Sequence, residues 1–361
     1  MSRRYVLKLL VLSSLFMSSC EKNQTQQTDQ NCKLPAKYEK YSENFLINQN
    51  LNCSANVFIH IAGAMALDLM KQHPTKALEE IGRVHYEKLA DEFEGDVEKI
   101  STNDSNVQAR DNHKIPVRFY NKDKKNIIFY IHGGGWSRGN IRTHDALCKK
   151  LSQEFDCQVV ALDYRLAPEN KYPKGLNDAE DVYKFILKNL QPSQIILAGD
   201  SAGGNMASCL TIKLIKQKAQ IPNQLLLIYP SLDLRIKKST DNKFDSGYLL
   251  TRDSINYYVT NYLGTDTQLA NSDEVSPILT SNEILKKFPS TTIVSAQFDP
   301  LTVEANKFTK RLKENGVDCQ HLEVPKTIHI FAQFFGIFKE ETKQMLDFIK
   351  DKLFINNKEK L

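Results

Sequence analysis

The sequence predicts an α/β fold in which a mainly parallel sheet is covered by helices on both faces. Three observations carry this expectation. Short apolar runs at 127–131, 158–163, 194–198, 224–229 and 291–298 have the continuous hydrophobicity of strands buried on two sides. Segments of helical periodicity at 143–155, 176–190 and 206–216 separate them. Strand, helix, strand at this spacing implies right-handed crossovers, and in such sheets sites form beyond the carboxyl ends of the strands.

Bulk properties set the frame. A chain of 361 residues accommodates one large α/β domain with an accessory piece, or two domains. Hydrophobic residues at 41% and charged residues at 25% exclude a largely disordered chain. The net charge of +5 is modest and the lysines are scattered, without basic–aromatic alternation, so no nucleic-acid partner is expected.

Residues 1–19 have the pattern of an export signal. Arg3, Arg4 and Lys8 precede an apolar run at 9–17, which is followed by Ser18, Ser19 and Cys20. The run is shorter than the roughly 18 apolar residues of a membrane span. Because small residues end on Cys20, the segment resembles a bacterial lipoprotein signal, which implies lipidation at Cys20 and a membrane partner on the periplasmic or cell-surface side. Met17 departs from that pattern, and a simply cleaved signal or an uncleaved anchor are the alternatives. Residues 20–33 are rich in Gln, Asn and Thr and read as a flexible tether. Without Cys20, six cysteines remain, and export permits disulfides. Cys32 with Cys53 and Cys148 with Cys157 are the pairs nearest in sequence, but spacing leaves the connectivity open. Cys209 reads as a small buried apolar residue. No cysteine pair has zinc-site spacing, and neither a metal nor a cofactor is expected.

Residues 34–100 form a helical block. Val57, Ile61, Met65 and Leu69, then Ala77, Ile81, Val84 and Leu89, recur at steps of three, four and five, with Pro74 between the two runs. The block is either a cap over the site or a packed extension. The core begins at 101, and 117–120, after Pro116, reads as a strand at the sheet edge, where proline is tolerated.

The run 127–131 leads into His132-Gly133-Gly134-Gly135-Trp136. Three glycines at a strand's carboxyl end let backbone N–H groups face a crevice, as a phosphate cradle or as an oxyanion hole. Neither Gly-x-Gly-x-x-Gly nor a following Lys-Ser/Thr is present, which favours the oxyanion hole, with N–H groups from Gly133, Gly134 and Ala202. His132 reads as a structural hydrogen-bonding group, beside Gly135 and Trp136.

The run 194–198 leads into Gly199-Asp200-Ser201-Ala202-Gly203, followed by a helix. This is Gly-x-Ser-x-Gly at a strand-to-helix turn. Gly199 and Gly203 remove bulk on either side, and unsatisfied helix N–H groups lie beside Ser201. A serine nucleophile needs a histidine base, and the base needs an acid to fix its tautomer. Only His321 and His329 follow Ser201. His321 lies within the strand-like 319–324, whereas His329 lies in a loop after Pro325-Lys326-Thr327, ahead of a terminal helix expected near Phe331. Asp299, at the end of the run 291–298 and before Pro300, is the expected acid.

His132-Gly133-Gly134-Gly135-Trp136, Asp163-Tyr164-Arg165-Leu166-Ala167-Pro168-Glu169 and Gly199-Asp200-Ser201-Ala202-Gly203-Gly204-Asn205, in this order, resemble the hormone-sensitive-lipase family of α/β-hydrolase esterases. The resemblance runs from about Ile115 to the end of the chain. It implies an α/β-hydrolase fold with a central sheet of about eight strands, a helical cap with a second segment at about 232–264, and hydrolysis of short acyl esters as the small-molecule substrate. Asp299-Pro300-Leu301 and His329-Ile330-Phe331 resemble the family's acid and histidine motifs. Gln297 and Val303 stand where acidic residues are frequent, and Ile330 where glycine is. An amidase or deacetylase would use the same three residues, and a non-catalytic binding protein could share the fold.

Overall fold

Eight strands form one sheet in the order β1-β2-β4-β3-β5-β6-β7-β8. They are β1 (Thr102–Gln108), β2 (Lys114–Tyr120), β3 (Asn126–Ile131), β4 (Gln158–Leu162), β5 (Gln194–Asp200), β6 (Gln224–Ile228), β7 (Ser290–Phe298) and β8 (Cys319–Ile328). Pairings of β2 with β1 and β4 are antiparallel, and the rest are parallel. The structure is a computed structural model describing residues 32–353 except 44, 239–241 and 266. The signal segment, Cys20 and most of the tether lie outside the described residues.

Side chains alternate along each strand, so the central strands serve two cores at once. Ile127, Phe129, Leu197, Leu225 and Leu227 face one core with α4 (Lys174–Asn189), α5 (Ala202–Lys216) and α7 (Thr302–Glu314). Ile128, Tyr130, Ile196, Leu226 and Ile228 face the other, with α3 (Asp145–Glu154) and α8 (Lys339–Lys350). Both faces of β3 to β6 are thereby dry, which explains their unbroken hydrophobicity.

The N-terminal helical block is α1 (Cys53–Gln72) and α2 (Leu78–Phe93). Phe58 of α1 anchors it: its ring lies 5.0 Å from Phe93, 5.2 Å from Phe334 and 5.6 Å from Phe338. Aromatic pairs at such separations add about 0.5–1.5 kcal/mol each beyond area burial. A disulfide joins Cys32 to Cys53 at the start of α1, while Cys148, Cys157, Cys209 and Cys319 are buried thiols. The second helical segment is α6 (Arg252–Leu263), capped by Thr251, whose side chain accepts from the Ser254 N–H.

Three local expectations are corrected. β2 is not the edge strand, because β1 lies outside it; β1 reads TNDSNVQ, with only Val107 buried, and is a strand by virtue of pairing with β2. Pro116 is tolerated in β2 because its carbonyl accepts from the Asp163 N–H just past the last β2–β4 pair, Val117 with Leu162. Its missing donor therefore falls where the ladder has ended. The strand β8 continues through Pro325-Lys326-Thr327, past an irregularity in register between Ala296 and Phe298 where the Gln297 side chain accepts from the Lys326 N–H at 2.8 Å. Finally, the terminal helix begins at Lys339 and not near Phe331. Phe331 and Phe334 are buried in turns and Phe338 is buried at the helix N-cap, and the Gly336 N–H bonds to Phe93 O at 3.1 Å, so burial of the aromatics sets the local path.

Candidate active site

Ser201 sits between β5 and α5 with φ 53° and ψ −115°. A side chain held at positive φ costs on the order of 1–3 kcal/mol, so the surroundings must enforce it. They do so by close approach: a Cβ on Gly203 would lie 1.9 Å from Ile131 O. No residue but glycine lets α5 start this near β3. The Ser201 N–H bonds to Ile228 O at 2.8 Å, fixing the turn over the end of β6.

Asp299 directly follows β7, and His329 directly follows β8. His329 Nε2 lies 2.8 Å from Ser201 Oγ, and His329 Nδ1 lies 2.6 Å from Asp299 Oδ2. The other carboxylate oxygen, Oδ1, accepts from the Leu301 N–H at 2.9 Å. Asp299 is fully buried and His329 nearly so, with the Tyr229 ring 4.7 Å from the imidazole. A carboxylate at Nδ1 requires a proton there, which leaves Nε2 as the acceptor for the serine hydroxyl. The three residues named from the sequence are thus brought together at the carboxyl ends of parallel strands. His321 is not among them: its Nε2 lies 2.8 Å from Ser295 Oγ within the β7–β8 pair, and burial lowers its pKa to about 4.

The glycine loop requires one correction. The Gly133 N–H donates to Asp200 Oδ1 at 2.8 Å and is therefore withdrawn from the crevice. Gly134, Gly135 and Ala202 line the crevice with Ser201, and their N–H groups make no hydrogen bond within the described protein. Gly134 holds φ 113°, and a Cβ there would lie 2.2 Å from Arg138 O. Gly135, assigned only a supporting place from the sequence, is thus a candidate donor; which N–H groups turn inward depends on φ and ψ and was not readable from a triple-glycine run.

Asp200 organises that loop. It is fully buried, and its Oδ1 also accepts from the Tyr130 hydroxyl at 2.8 Å, with His144 Nε2 at 3.3 Å. Burial acts to raise its pKa, but His144 and these donors hold it below the ordinary carboxylate value. The His132 Nδ1–H bonds to Gly133 O at 2.8 Å, and the ring stacks on Tyr164 at 4.3 Å. Burial first, and His144 second, lower its pKa to about 3, so it is a neutral buttress at pH 7. Trp136 stacks on Tyr262 of α6 at 4.7 Å. The 163–169 motif supports the loop from behind: Ala167 N–H bonds to Trp136 O, and Arg83 of α2 reaches both Ser137 O and Glu169.

Both helical segments line the crevice, with Phe58 and Ile59 from α1, Tyr86 and Leu89 from α2, and Leu250 and Ile255 from the second segment. Ile330, beside His329, has φ 70°. This is a strained state for a β-branched residue, at the position where the family pattern has glycine.

Glu304, on the first turn of α7 behind Asp299, is buried with Lys237 Nζ at 3.6 Å. Burial pushes its carboxyl up to about 7 against the opposing pull of Lys237. A carboxyl raised on folding stabilises the fold fully below its unfolded pKa, about 4.5, and loses that contribution as pH rises through 7. Glu304→Gln is therefore expected to unfold at a higher temperature than wild type at pH 8 and at nearly the same temperature at pH 4.5. The difference at pH 8 should be on the order of 2–3 kcal/mol. Thermal unfolding at the two pH values checks this, and equal shifts at both would exclude a titrating Glu304.

A family model described as alpha/beta hydrolase fold matches residues 128–333. The ethyl acetate hydrolase of Pseudomonas putida is 27% identical over 249 residues, covering 66% of this chain and 77% of that protein. The carboxylesterase NlhH of Mycobacterium tuberculosis is 32% identical over 236 residues, covering 61% and 72% respectively. Among solved structures, carboxyl esterase 2 from the mycorrhizal fungus Tuber melanosporum has a TM-score of 0.67 at 29% identity, over 71% of this chain and 87% of that one.

Proposed function

The chain belongs to the α/β-hydrolase fold family, as a hormone-sensitive-lipase-like esterase, and on that premise we propose that it hydrolyses short-chain carboxylic esters through an acyl-enzyme on Ser201. The observation that carries the mechanism is the hydrogen-bonded series from Ser201 Oγ through His329 to Asp299, at 2.8 and 2.6 Å. His329 Nε2 takes the hydroxyl proton as Oγ attacks the ester carbonyl. The N–H groups of Gly134, Gly135 and Ala202 receive the oxyanion, and each donor of this kind contributes about 10²–10³ in turnover. His329 then returns the proton to the departing alkoxide. A water, deprotonated by the same nitrogen, attacks the acyl-enzyme and releases the acid and free Ser201.

Similarity to a relative named an ethyl acetate hydrolase, together with helices roofing the crevice, supports a preference for short acyl groups. Nitrophenyl acetate and butyrate are expected to be turned over well above the palmitate ester, and a fluorophosphonate probe is expected to modify Ser201. Equal rates across the series would remove the short-chain preference, and an unlabelled Ser201 would overturn the mechanism. An acetanilide hydrolysed faster than the aryl acetate would move the assignment to an amidase.

We also propose that the protein is exported and anchored through a lipid on Cys20. The Cys32–Cys53 disulfide supports an oxidising compartment. Mass analysis of the mature N-terminus decides between a lipidated Cys20, another cleavage site and an intact leader.

A further inference from the structure

Arg138 follows Trp136 by two residues in the oxyanion loop, and it is 8% exposed. Every other arginine among the described residues has an oxygen acceptor. Arg83 meets Glu169, Arg110 meets Asp181, Arg118 meets Asp104, Arg142 meets Asp91, Arg165 meets Asp178, Arg235 meets Asp233, Arg252 meets Asp245, and Arg311 bonds to backbone carbonyls. The Arg138 guanidinium has none: no carboxylate oxygen lies within 4.0 Å of it among the described residues, and its buried Nε–H is unpartnered. Glu79, one turn from Gly82 on α2, is beyond that distance: its Oε1 accepts from Asn261, and its buried Oε2 has no hydrogen-bond partner.

Guanidinium stays charged at any physiological pH, and a buried charge without a partner is costly. Its contact with the Tyr258 ring, 5.0 Å to the centroid, offsets only part of that cost, about 0.5–2 kcal/mol. The surrounding structure nevertheless makes room for it. A Cβ on Gly82 would lie 2.5 Å from Nη2, so α2 is cut back to a glycine where the guanidinium arrives. Arg138, Tyr258 and His85 line the same crevice as Ser201. His85 offers no countercharge: its Nε2–H bonds to Ala62 O, and burial, then the charge of Arg138, lower its pKa to about 4. A fixed, planar set of donors in an otherwise largely apolar crevice is matched by a planar anion, which a carboxylate supplies.

We propose that Arg138 is a specificity-determining residue for anionic substrates: the preferred esters carry a carboxylate, on the acyl or the alcohol side, that pairs with the guanidinium while Ser201 attacks the ester carbonyl. This rests on the hydrolase reading above and narrows its substrate class.

The test compares kcat/KM on three kinds of ester. Monoethyl succinate and monoethyl glutarate place the carboxylate on the acyl side, 3-acetoxypropanoate places it on the alcohol side, and ethyl butyrate and ethyl valerate are neutral. Wild type is expected to favour one anionic series over the neutral esters, and the anionic-to-neutral ratio is expected to fall about 10- to 100-fold in Arg138→Gln, the range for a hydrogen bond to a charged group. Arg138→Lys should restore part of the ratio. The series that wild type favours identifies the side on which the anion sits. A wild-type preference for the neutral esters, which needs no variant, or an unchanged ratio in Arg138→Gln, overturns the proposal. Failure of wild type to hydrolyse any of the esters, neutral ones included, would overturn the hydrolase reading instead.

Discussion

Ser201→Ala is expected to lower turnover of a short-chain nitrophenyl ester by about 10⁶ while the protein still folds. The size of the loss follows from what remains. His329, Asp299 and the three free N–H groups stay in place, yet without Oγ the base has no proton to take and the carbonyl no nucleophile to meet. Residual catalysis over water, about 10³–10⁴, comes from binding and the oxyanion donors. Stability should change by less than about 1 kcal/mol, since one partly exposed hydroxyl is removed and alanine meets the same strain at φ 53°. Steady-state turnover, the acyl-enzyme burst and thermal unfolding check this together. Wild-type turnover in the folded variant would move the nucleophile elsewhere.

Asp299→Asn is expected to lower turnover by about 10⁴, and the geometry gives the reason. Oδ1 accepts from the Leu301 N–H, so the amide oxygen of the new asparagine must stay on that side. Its NH₂ then faces His329 Nδ1, which can no longer donate and must accept. The imidazole proton moves to Nε2, which then donates toward the Ser201 hydroxyl and can no longer accept its proton. The fold is preserved because volume and the Leu301 bond are retained. The check is kcat for folded Asp299→Asn beside Asp299→Ala; turnover within tenfold of wild type would show that Asp299 does not set the tautomer.

Much of the fold was legible because its signals are local. Runs such as 127–131 and 194–198 must be apolar at every position, since the parallel strands they form are covered on both sides. β1 carried no such signal: six of its seven residues are exposed, and only its pairing with β2 makes it a strand. The terminal helix starts later than its sequence suggests for a related reason, since Phe331 and Phe334 suit a helix as well as they suit the buried turns they occupy.

The sequence by itself determined which residues could act. Gly-x-Ser-x-Gly after a buried strand, and Asp299 and His329 at later strand ends, fixed three participants, because residue type and strand polarity together leave few alternatives. Tertiary structure alone decided the direction of each backbone N–H and the partner of each charge. Gly133 spends its N–H on Asp200, from a strand 67 residues away, and Arg138 is left without an oxygen beside Tyr258 and Gly82. Hydrogen bonds and ion pairs depend on distances of a few ångströms between segments far apart in the chain, and only folding sets those distances.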